Sequence, residues 1–178
     1  MADLVPGRGV RTLPVTGPGP GHRKSPRPRP RPSSVPGPRF DLPETDAFTG
    51  PYWDAAAEGR LLLRRCRAEG CGRAHHYPRE FCPYCWSEDT VWEPAGGRAT
   101  LYTWSVVHLN DLPPFAARVP YTAAVVELAE GPRVMTEIVD CAERDLAIGL
   151  PLEVAFRHED GPSGPIAVPV FRPRAAGE

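Results

Sequence analysis

The chain has 178 residues, of which 41% are hydrophobic and 24% are charged, and it contains 24 prolines and 17 glycines. This length allows one ordinary domain, or a small domain beside a very small one, and the proline and glycine content indicates that part of the chain does not pack. No apolar run approaches the roughly 18 residues of a membrane-spanning helix, and the N-terminus lacks the features of a secretory signal, so we predict a cytoplasmic protein without membrane association.

The net charge of −1 conceals a division into a basic and an acidic part. Residues 1–40 carry eight basic side chains against one acidic side chain, a local charge of +7, which leaves −8 for the remainder. Residues 1–44 offer little apolar surface to bury, so we predict a disordered Pro/Arg-rich tail with polyproline II character. The Arg-Pro repeat at residues 27–32 could bind an acidic surface, an SH3-like groove or nucleic acid, but its composition favours a solvated tail.

A short helix is predicted at the start of the folded part. Thr45 and Asp46 can cap a helix, and Pro51 is tolerated in a first helical turn. An apolar stripe follows, and Gly59 ends the pattern. The residues of this stripe are Phe48, Tyr52, Trp53, Ala56 and Ala57.

Two strands are predicted around the first cysteines. Residues 61–65 form a strand that leads into Cys66, and residues 74–78 form its return strand. The glycines at positions 70 and 72 mark the turn between them.

Four of the five cysteines lie within twenty residues, in two close pairs. Cys66 and Cys71 have four residues between them, and Cys82 and Cys85 have two. Zinc prefers thiolate ligands in tetrahedral geometry, and two such pairs can each bind the ion from a tight turn. We therefore predict that these four residues bind one structural zinc ion in a small zinc ribbon, with no open position for catalysis.

Other uses of the cysteines fit the sequence less well. A redox Cys-x-x-Cys motif would account for the second pair only and lacks a surrounding βαβ pattern, and two disulfides do not suit a cytosolic chain. His75 or His76 could replace one cysteine, but four thiolates already complete the ligand set, so both histidines are interpreted as strand residues. Cys141 stands alone after a strand and is predicted to be a buried, inert thiol.

After a spacer at residues 93–97, the pattern changes to short strands. Residues 98–108 are rich in aromatic and β-branched side chains, and strict alternation places Thr103 on the face of Leu101 and Trp104 on the opposite face. Four more strands are predicted at residues 121–129, 133–140, 152–157 and 166–171. Five short strands favour a closed barrel of the OB type over an immunoglobulin-like sandwich, which needs about seven.

The predicted fold is therefore mainly β. A short helix and a zinc ribbon occupy residues 45–95, and a five-stranded OB-fold barrel occupies residues 96–174. The disordered tail precedes them.

The order of these motifs resembles one known family. Tyr52-Trp53, LLLRRC, CRAEGCG and CPYC are followed by Trp92, Gly96-Gly97, YTWSVVH, PYTAAVVEL, EGPRV and Ile148-Gly149. Residues 45–172 thus resemble bacterial and archaeal proteins in which a rubredoxin-like zinc ribbon precedes an OB-fold and which are associated with acyl-CoA chemistry. In that family the first knuckle, which is the loop between the first two cysteines, usually has two residues between them. This chain has four.

The resemblance implies a non-catalytic accessory subunit. Similar proteins sit against thiolases, thiolase-like sterol side-chain aldolases, acyl-CoA hydratases or polyketide-type acyltransferases. The implied role is help with acyl-CoA binding or with acyl transfer by such a partner. The implied cofactor is structural zinc.

The residues themselves agree with a helper protein. The sequence contains no Ser-His-Asp order and no phosphate-binding glycine loop, so we predict no catalytic residue. Glu127, Glu137 and Asp140 are interpreted as solvent-facing strand residues. The proline-rich loop at residues 110–118 is predicted to contact a partner or an acyl group, because functional residues concentrate on loops held by a rigid scaffold. Phe115 in this loop could instead plug the core, and both possibilities stay open.

Two other functions remain as alternatives. Zinc ribbons and OB barrels both bind single-stranded nucleic acids, and Tyr102 and Trp104 could stack on bases, but a folded body near −8 repels phosphate. The same four thiolates would also suit iron in a rubredoxin-like redox protein, which the spacing of the cysteines cannot distinguish from zinc.

Overall fold

The computed structural model describes residues 42–161 and 164–175, so the predicted tail lies outside the described residues except for its last three positions. Within the described part, one α-helix precedes eight β-strands and two short 3₁₀ turns. None of its helices is long and apolar enough to cross a membrane. The elements are α1 (Gly50–Ala57), β1 (Leu62–Cys66), β2 (Ala74–His75), β3 (Thr90–Pro94), β4 (Arg98–Val107), a 3₁₀ turn (Phe115–Ala117), β5 (Tyr121–Leu128), β6 (Arg133–Ile138), a 3₁₀ turn (Glu143–Asp145), β7 (Pro151–Gly161) and β8 (Gly164–Pro173).

The helix begins at Gly50, five residues after the predicted start. Asp46 does not cap it but closes the preceding turn, because its Oδ1 accepts hydrogen bonds from the Thr49 backbone N–H at 2.6 Å and from the Thr49 hydroxyl at 2.8 Å. Pro51 lies in the first turn, as predicted. The buried face consists of Tyr52, Ala55 and Ala56, whereas Ala57 of the predicted stripe is exposed.

The ribbon forms a three-stranded antiparallel sheet in the order β2-β1-β3. The return strand β2 ends at His75 and is shorter than predicted. Strand β3 was not predicted, and it overlaps residues 93–97, which were interpreted as a spacer. Its sequence TVW has the β-branched and aromatic residues of a strand, and it pairs with β1 over five residues.

Arg64 lies at the contact between this sheet and the segment that leads into α1. Its guanidinium carbon is 5.3 Å from the centroid of the Phe48 ring and 5.0 Å from that of the Trp92 ring. Its Nη2 donates hydrogen bonds to the Thr90 backbone carbonyl at 3.0 Å and to the Thr90 hydroxyl. No carboxylate in the described residues pairs with this buried cation, so the two rings and Thr90 stabilise its charge.

Five strands form the closed barrel that the sequence predicted, in the order β4-β5-β6-β8-β7. Antiparallel pairs join β4 to β5, β5 to β6, β7 to β8 and β4 to β7. The remaining contact is parallel and consists of a single bridge between Ile138 of β6 and Phe171 of β8. We call this weakly paired line between β6 and β8 the seam.

A β-bulge changes the predicted faces of β4. The register with β5 shifts between Leu101 and Thr103, so the extra residue Tyr102 breaks the alternation. Leu101 is buried, Thr103 is exposed, and Trp104 packs against the same core as Leu101. The prediction that Leu101 and Thr103 share a face was therefore wrong.

A continuous hydrophobic core runs through the helix, the ribbon sheet and the barrel. The buried members are Tyr52, Ala55, Leu61, Leu62, Leu63, Ala74, Ala99, Leu101, Ala124, Val126, Leu128, Val134, Ile138, Leu146, Leu152 and Phe171. The domain boundary between residues 95 and 96 stays a prediction.

Gly97, at the start of the barrel, allows a test of this packing. Its φ is +72°, and a Cβ at this position would lie 2.5 Å from Cγ1 of Val154. We expect Gly97→Ala to lower the free energy of unfolding by about 2–4 kcal/mol, because backbone strain and overpacking add. Urea unfolding of the zinc-loaded chain, followed by tryptophan fluorescence, measures the loss.

Gly149→Ala is the matched control. Its φ is +84°, but no atom lies within 4 Å of the added Cβ, so only the conformational cost of about 1 kcal/mol applies. Equal losses in the two variants would contradict the proposed contact with Val154.

Candidate metal centre and seam cavity

The fold brings the four predicted ligands together. The Sγ atoms of Cys66, Cys71, Cys82 and Cys85 all lie within 4.8 Å of one another. The closest distances are 3.5 Å between Cys66 and Cys85 and 3.7 Å between Cys71 and Cys82. Four thiolates at about 2.3 Å from a tetrahedral zinc ion would be roughly 3.8 Å apart. The sulfur positions and the donor type therefore fit zinc.

The wider first knuckle reaches this geometry through its glycines. Gly70 and Gly72, on either side of Cys71, have φ values of +77° and +59°. The Cys71 N–H donates to the Ala68 carbonyl at 3.1 Å, and the Cys66 N–H donates to the Arg73 carbonyl at 2.9 Å. This loop has two residues more between its cysteines than is usual in the family that the sequence resembles. The Sγ atoms of Cys66 and Cys71 nevertheless lie within the cluster.

The second knuckle uses a non-glycine residue at the corresponding position. Trp86, directly after Cys85, has a φ of +65°, which is uncommon for a bulky side chain. Its N–H donates to the Cys82 carbonyl at 2.9 Å, and the Cys82 N–H donates to the Ser87 carbonyl at 2.8 Å. The Trp86 ring is exposed and stacks on Phe81 at a centroid distance of 5.3 Å.

The two buried thiols differ in acidity. Burial raises the pKa of the Cys66 thiol to about 12. Burial also acts to raise the pKa of Cys82, but hydrogen bonds from the backbone N–H groups of Tyr84 and Cys85 outweigh it and lower the value to about 7. A bound cation would stabilise all four thiolates, so metal binding is expected to release protons.

The other sulfur and imidazole groups of the described residues lie outside this cluster. His75 is buried in β2, and His76 follows the strand. No side-chain hydrogen bond within the described residues reaches either ring nitrogen of His75 or the Nδ1 of His76. Cys141, which was predicted to be buried, is half-buried against the core, and burial raises the pKa of its thiol.

The prediction that Glu137 faces solvent was wrong. Its Oε2 accepts hydrogen bonds from Arg118 and, at 2.7 Å, from Arg157, and only 21% of its side chain is exposed. Arg157 also contacts Glu159 at 3.0 Å, so four charges form a half-buried network. The sequence alone does not reveal this network, because its members lie on a loop and on two separate strands.

Glu127 and Asp140 agree better with the prediction that they face solvent. Glu127 is 45% exposed and pairs with Arg133 at 2.9 Å, and Asp140 is exposed.

The loop at residues 110–118 is held to the barrel by Arg118, through its ion pair with Glu137. Phe115 is half-buried and lies 6.0 Å from the Tyr121 ring, and it is not part of the described core. The alternative in which Phe115 plugs the core was therefore wrong. Leu112 on this loop is 62% exposed, and Leu109 directly before it is 80% exposed.

An apolar cavity, not predicted from the sequence, lies along the seam. Its volume is about 350 Å³, and its walls come from the segment before α1, from α1, from Leu61, from the segment after β2 and from β6 and β8. We call it the seam cavity. Helix periodicity indicated that Tyr52 and Trp53 are apolar face residues, but no sequence signal shows that they line a cavity.

Comparison with known families gives two matches that together cover residues 53–157. Residues 53–91 match the family described as "ChsH2, rubredoxin-like zinc ribbon domain", and residues 92–157 match "ChsH2, C-terminal OB-fold domain". The chain therefore carries a zinc ribbon whose cofactor is a structural zinc ion, in agreement with the four clustered sulfurs.

Curated relatives include enzyme subunits and scaffold proteins. A "probable enoyl-CoA hydratase alpha subunit" of Thermomonospora curvata is 34% identical over 141 residues, which is 79% of this chain but only 41% of that protein. A "DUF35 domain-containing scaffold protein" of Methanocaldococcus jannaschii is 38% identical over 110 residues, 60% of this chain and 77% of that protein. The chain thus spans less than half of the hydratase subunit and most of the scaffold protein.

A solved structure agrees with these matches. A chain of the "Ltp2-ChsH2(DUF35) aldolase" superposes with a TM-score of 0.62 at 33% identity, and the match covers 74% of this chain and 98% of that one. The family matches cover both the ribbon and the barrel, and the relatives and the solved structure agree with them. The chain therefore belongs to the ChsH2/DUF35 family of proteins with a rubredoxin-like zinc ribbon and an OB-fold.

Proposed function

We propose that this chain is a non-catalytic accessory subunit that assists acyl-CoA binding or acyl transfer by an acyl-CoA hydratase, an aldolase or a thiolase-like partner. Cys66, Cys71, Cys82 and Cys85 would hold its structural zinc. The observation that carries the proposal is this closed set of four sulfurs in a fold shared with scaffold proteins and with an aldolase complex.

The site supports a structural role for the metal. Four protein ligands leave zinc no position for water or substrate, so the ion would supply folding energy and no chemistry. Elsewhere in residues 42–161 and 164–175, no hydrogen bond joins a histidine ring to a hydroxyl or thiol, as a nucleophile and its base would require. Glu137 is neutralised by two arginines and is a poor candidate for a general base.

The loop at residues 110–118 is the proposed contact with the partner. The ion pair between Arg118 and Glu137 fixes one end of the loop on the barrel. Leu109 and Leu112 remain exposed at the other end, where an enzyme surface could bury them. The names of the relatives motivate the class of partner: a hydratase alpha subunit and an aldolase.

Nucleic-acid binding receives less support. Arg133 lies over the ring of Tyr102 at 3.6 Å, so this face of the ring is already covered. Trp104 packs against the core, which leaves little of its ring for a base. The acidic balance of the chain after residue 40 also opposes phosphate binding.

The metal ligands can be tested by substitution. We expect the purified chain to contain one zinc ion and to be colourless, and we expect Cys82→Ser to lose most of the metal and to unfold at a lower urea concentration. Cys141→Ser is the control, since Cys141 lies outside the sulfur cluster. Metal analysis and urea unfolding measure both effects. A red, iron-containing protein, or equal zinc content in the two variants, would contradict the assignment.

The partner can be tested by co-expression with the hydratase, aldolase or thiolase-like subunit encoded in neighbouring genes. We expect a stable complex in size-exclusion chromatography. The double variant Leu109→Asp/Leu112→Asp is expected to weaken it at least tenfold, because two charges would be desolvated in the interface. Ile148→Asp, at another exposed apolar position, serves as the control. A chain that stays alone beside every such enzyme would overturn the proposed function.

A further inference from the structure

The seam cavity has a structural cause in the sequence of β8. Adjacent residues of a strand direct their backbone N–H and C=O groups to opposite sides, so residues 165, 167, 169, 171 and 173 face the same neighbour. The Phe171 carbonyl accepts from the Val139 N–H at 2.8 Å, which shows that this side faces β6. Pro169 and Pro173, on either side of Phe171, have no N–H to donate.

The parallel ladder therefore stops after one bridge. The antiparallel pair of β7 and β8 extends over ten residues, whereas β6 and β8 share only Ile138 and Phe171. Beyond that bridge, the Thr136 hydroxyl donates to the Pro169 carbonyl at 3.3 Å in place of a backbone bond. The open part of the seam is covered by α1 and by the segment after β2, and the seam cavity lies beneath them.

The walls of the cavity are apolar and almost uncharged. Its lining includes Tyr52 and Trp53 of α1 and Val168 and Phe171 of β8. His76 also lines it, and burial lowers the pKa of this imidazole to about 4, so the ring is neutral at physiological pH. Within the part of the chain that the structure describes, the one carboxylate in the lining belongs to the exposed Glu44.

These properties select the kind of ligand. A volume of about 350 Å³ lies within the range of about 300–1,000 Å³ that is typical of small-molecule sites, and aromatic walls favour a hydrocarbon. Phosphate groups are disfavoured, because the only ionised side chain among the described lining residues is the anion of Glu44.

We propose that the seam cavity binds the acyl chain of an acyl-CoA thioester, while the phosphates of coenzyme A remain outside it. This assignment rests on the proposed function, because acyl-CoA is taken as the ligand class. The chain would then contribute an apolar subsite of its own, besides the loop that contacts the partner.

The test is calorimetric titration of the zinc-loaded full chain with octanoyl-CoA and, separately, with free coenzyme A. We expect octanoyl-CoA to bind at least tenfold more tightly than coenzyme A, with a negative heat-capacity change from apolar burial. Equal affinity for the two compounds, or no binding of octanoyl-CoA, would overturn the proposal.

Two exposed apolar residues provide matched variants. Met135 lines the cavity and is 70% exposed, whereas Ile148 does not line it and is 77% exposed. We expect Met135→Glu to weaken octanoyl-CoA binding at least tenfold, because its carboxylate would lie against the chain, and Ile148→Glu to leave binding unchanged. The same effect from both variants would overturn the location of the site.

A second variant fills the cavity. Val168→Trp is expected to abolish the preference for octanoyl-CoA over coenzyme A, and circular dichroism checks that the variant is folded. Should it not fold, the comparison of Met135→Glu with Ile148→Glu decides the location.

The two proposals fail separately. A chain that forms its enzyme complex but does not bind octanoyl-CoA would overturn the cavity assignment alone. A chain that binds octanoyl-CoA but joins no partner would overturn the proposed accessory function alone.

Discussion

The convergence of four sulfur atoms is the constraint on which the rest of the ribbon depends. Cys66 ends β1, Cys71 precedes β2, and Cys82 and Cys85 precede β3, so one ion at this point would tie together the ends of all three strands. A ribbon of this size buries too little apolar surface to fold unaided, and structural zinc can supply on the order of 10 kcal/mol. The sheet register then follows from where the strands are tied.

That register in turn positions the helix. With β1 and β3 paired as they are, Arg64 lies directly opposite Trp92, and its guanidinium lies close to both the Trp92 and the Phe48 rings. Phe48 precedes α1 by two residues, so this contact fixes the N-terminal end of the helix over the ribbon. The buried face of α1 then lies against β8, where it covers the seam. Successive contacts thus connect the four sulfur atoms, through the ribbon sheet, to the helix that lines the seam cavity.

The parts that the sequence predicts are those with a local signal. Two cysteine pairs define the ribbon, and five runs of β-branched and aromatic residues define the barrel. Strand β3 was missed because Glu93 and Pro94 follow Trp92 and resemble the start of a loop, although pairing with β1 continues through both. The predicted position of Trp104 was wrong because one extra residue, Tyr102, reverses the alternation, and the bulge is visible only in the pairing of β4 with β5.

Features that depend on distant residues could not be predicted in this way. Glu137 has the pattern of a solvent-facing strand residue, yet Arg118 and Arg157 approach it from elements 19 and 20 positions away in the chain. The seam is an intermediate case, because its cause is visible in the sequence. Pro165, Pro169 and Pro173 recur every four residues in β8.

Such a spacing places every proline nitrogen on the same side of the strand, and pairing with β7 shows no gap at any of them. The prolines therefore cost the antiparallel ladder nothing, while three of the five residues of β8 whose backbone groups face β6 have no N–H to donate. The missing N–H groups thus limit the pairing of β8 with β6 on both sides of the Phe171 bridge, and the cavity lies along this weakly paired line.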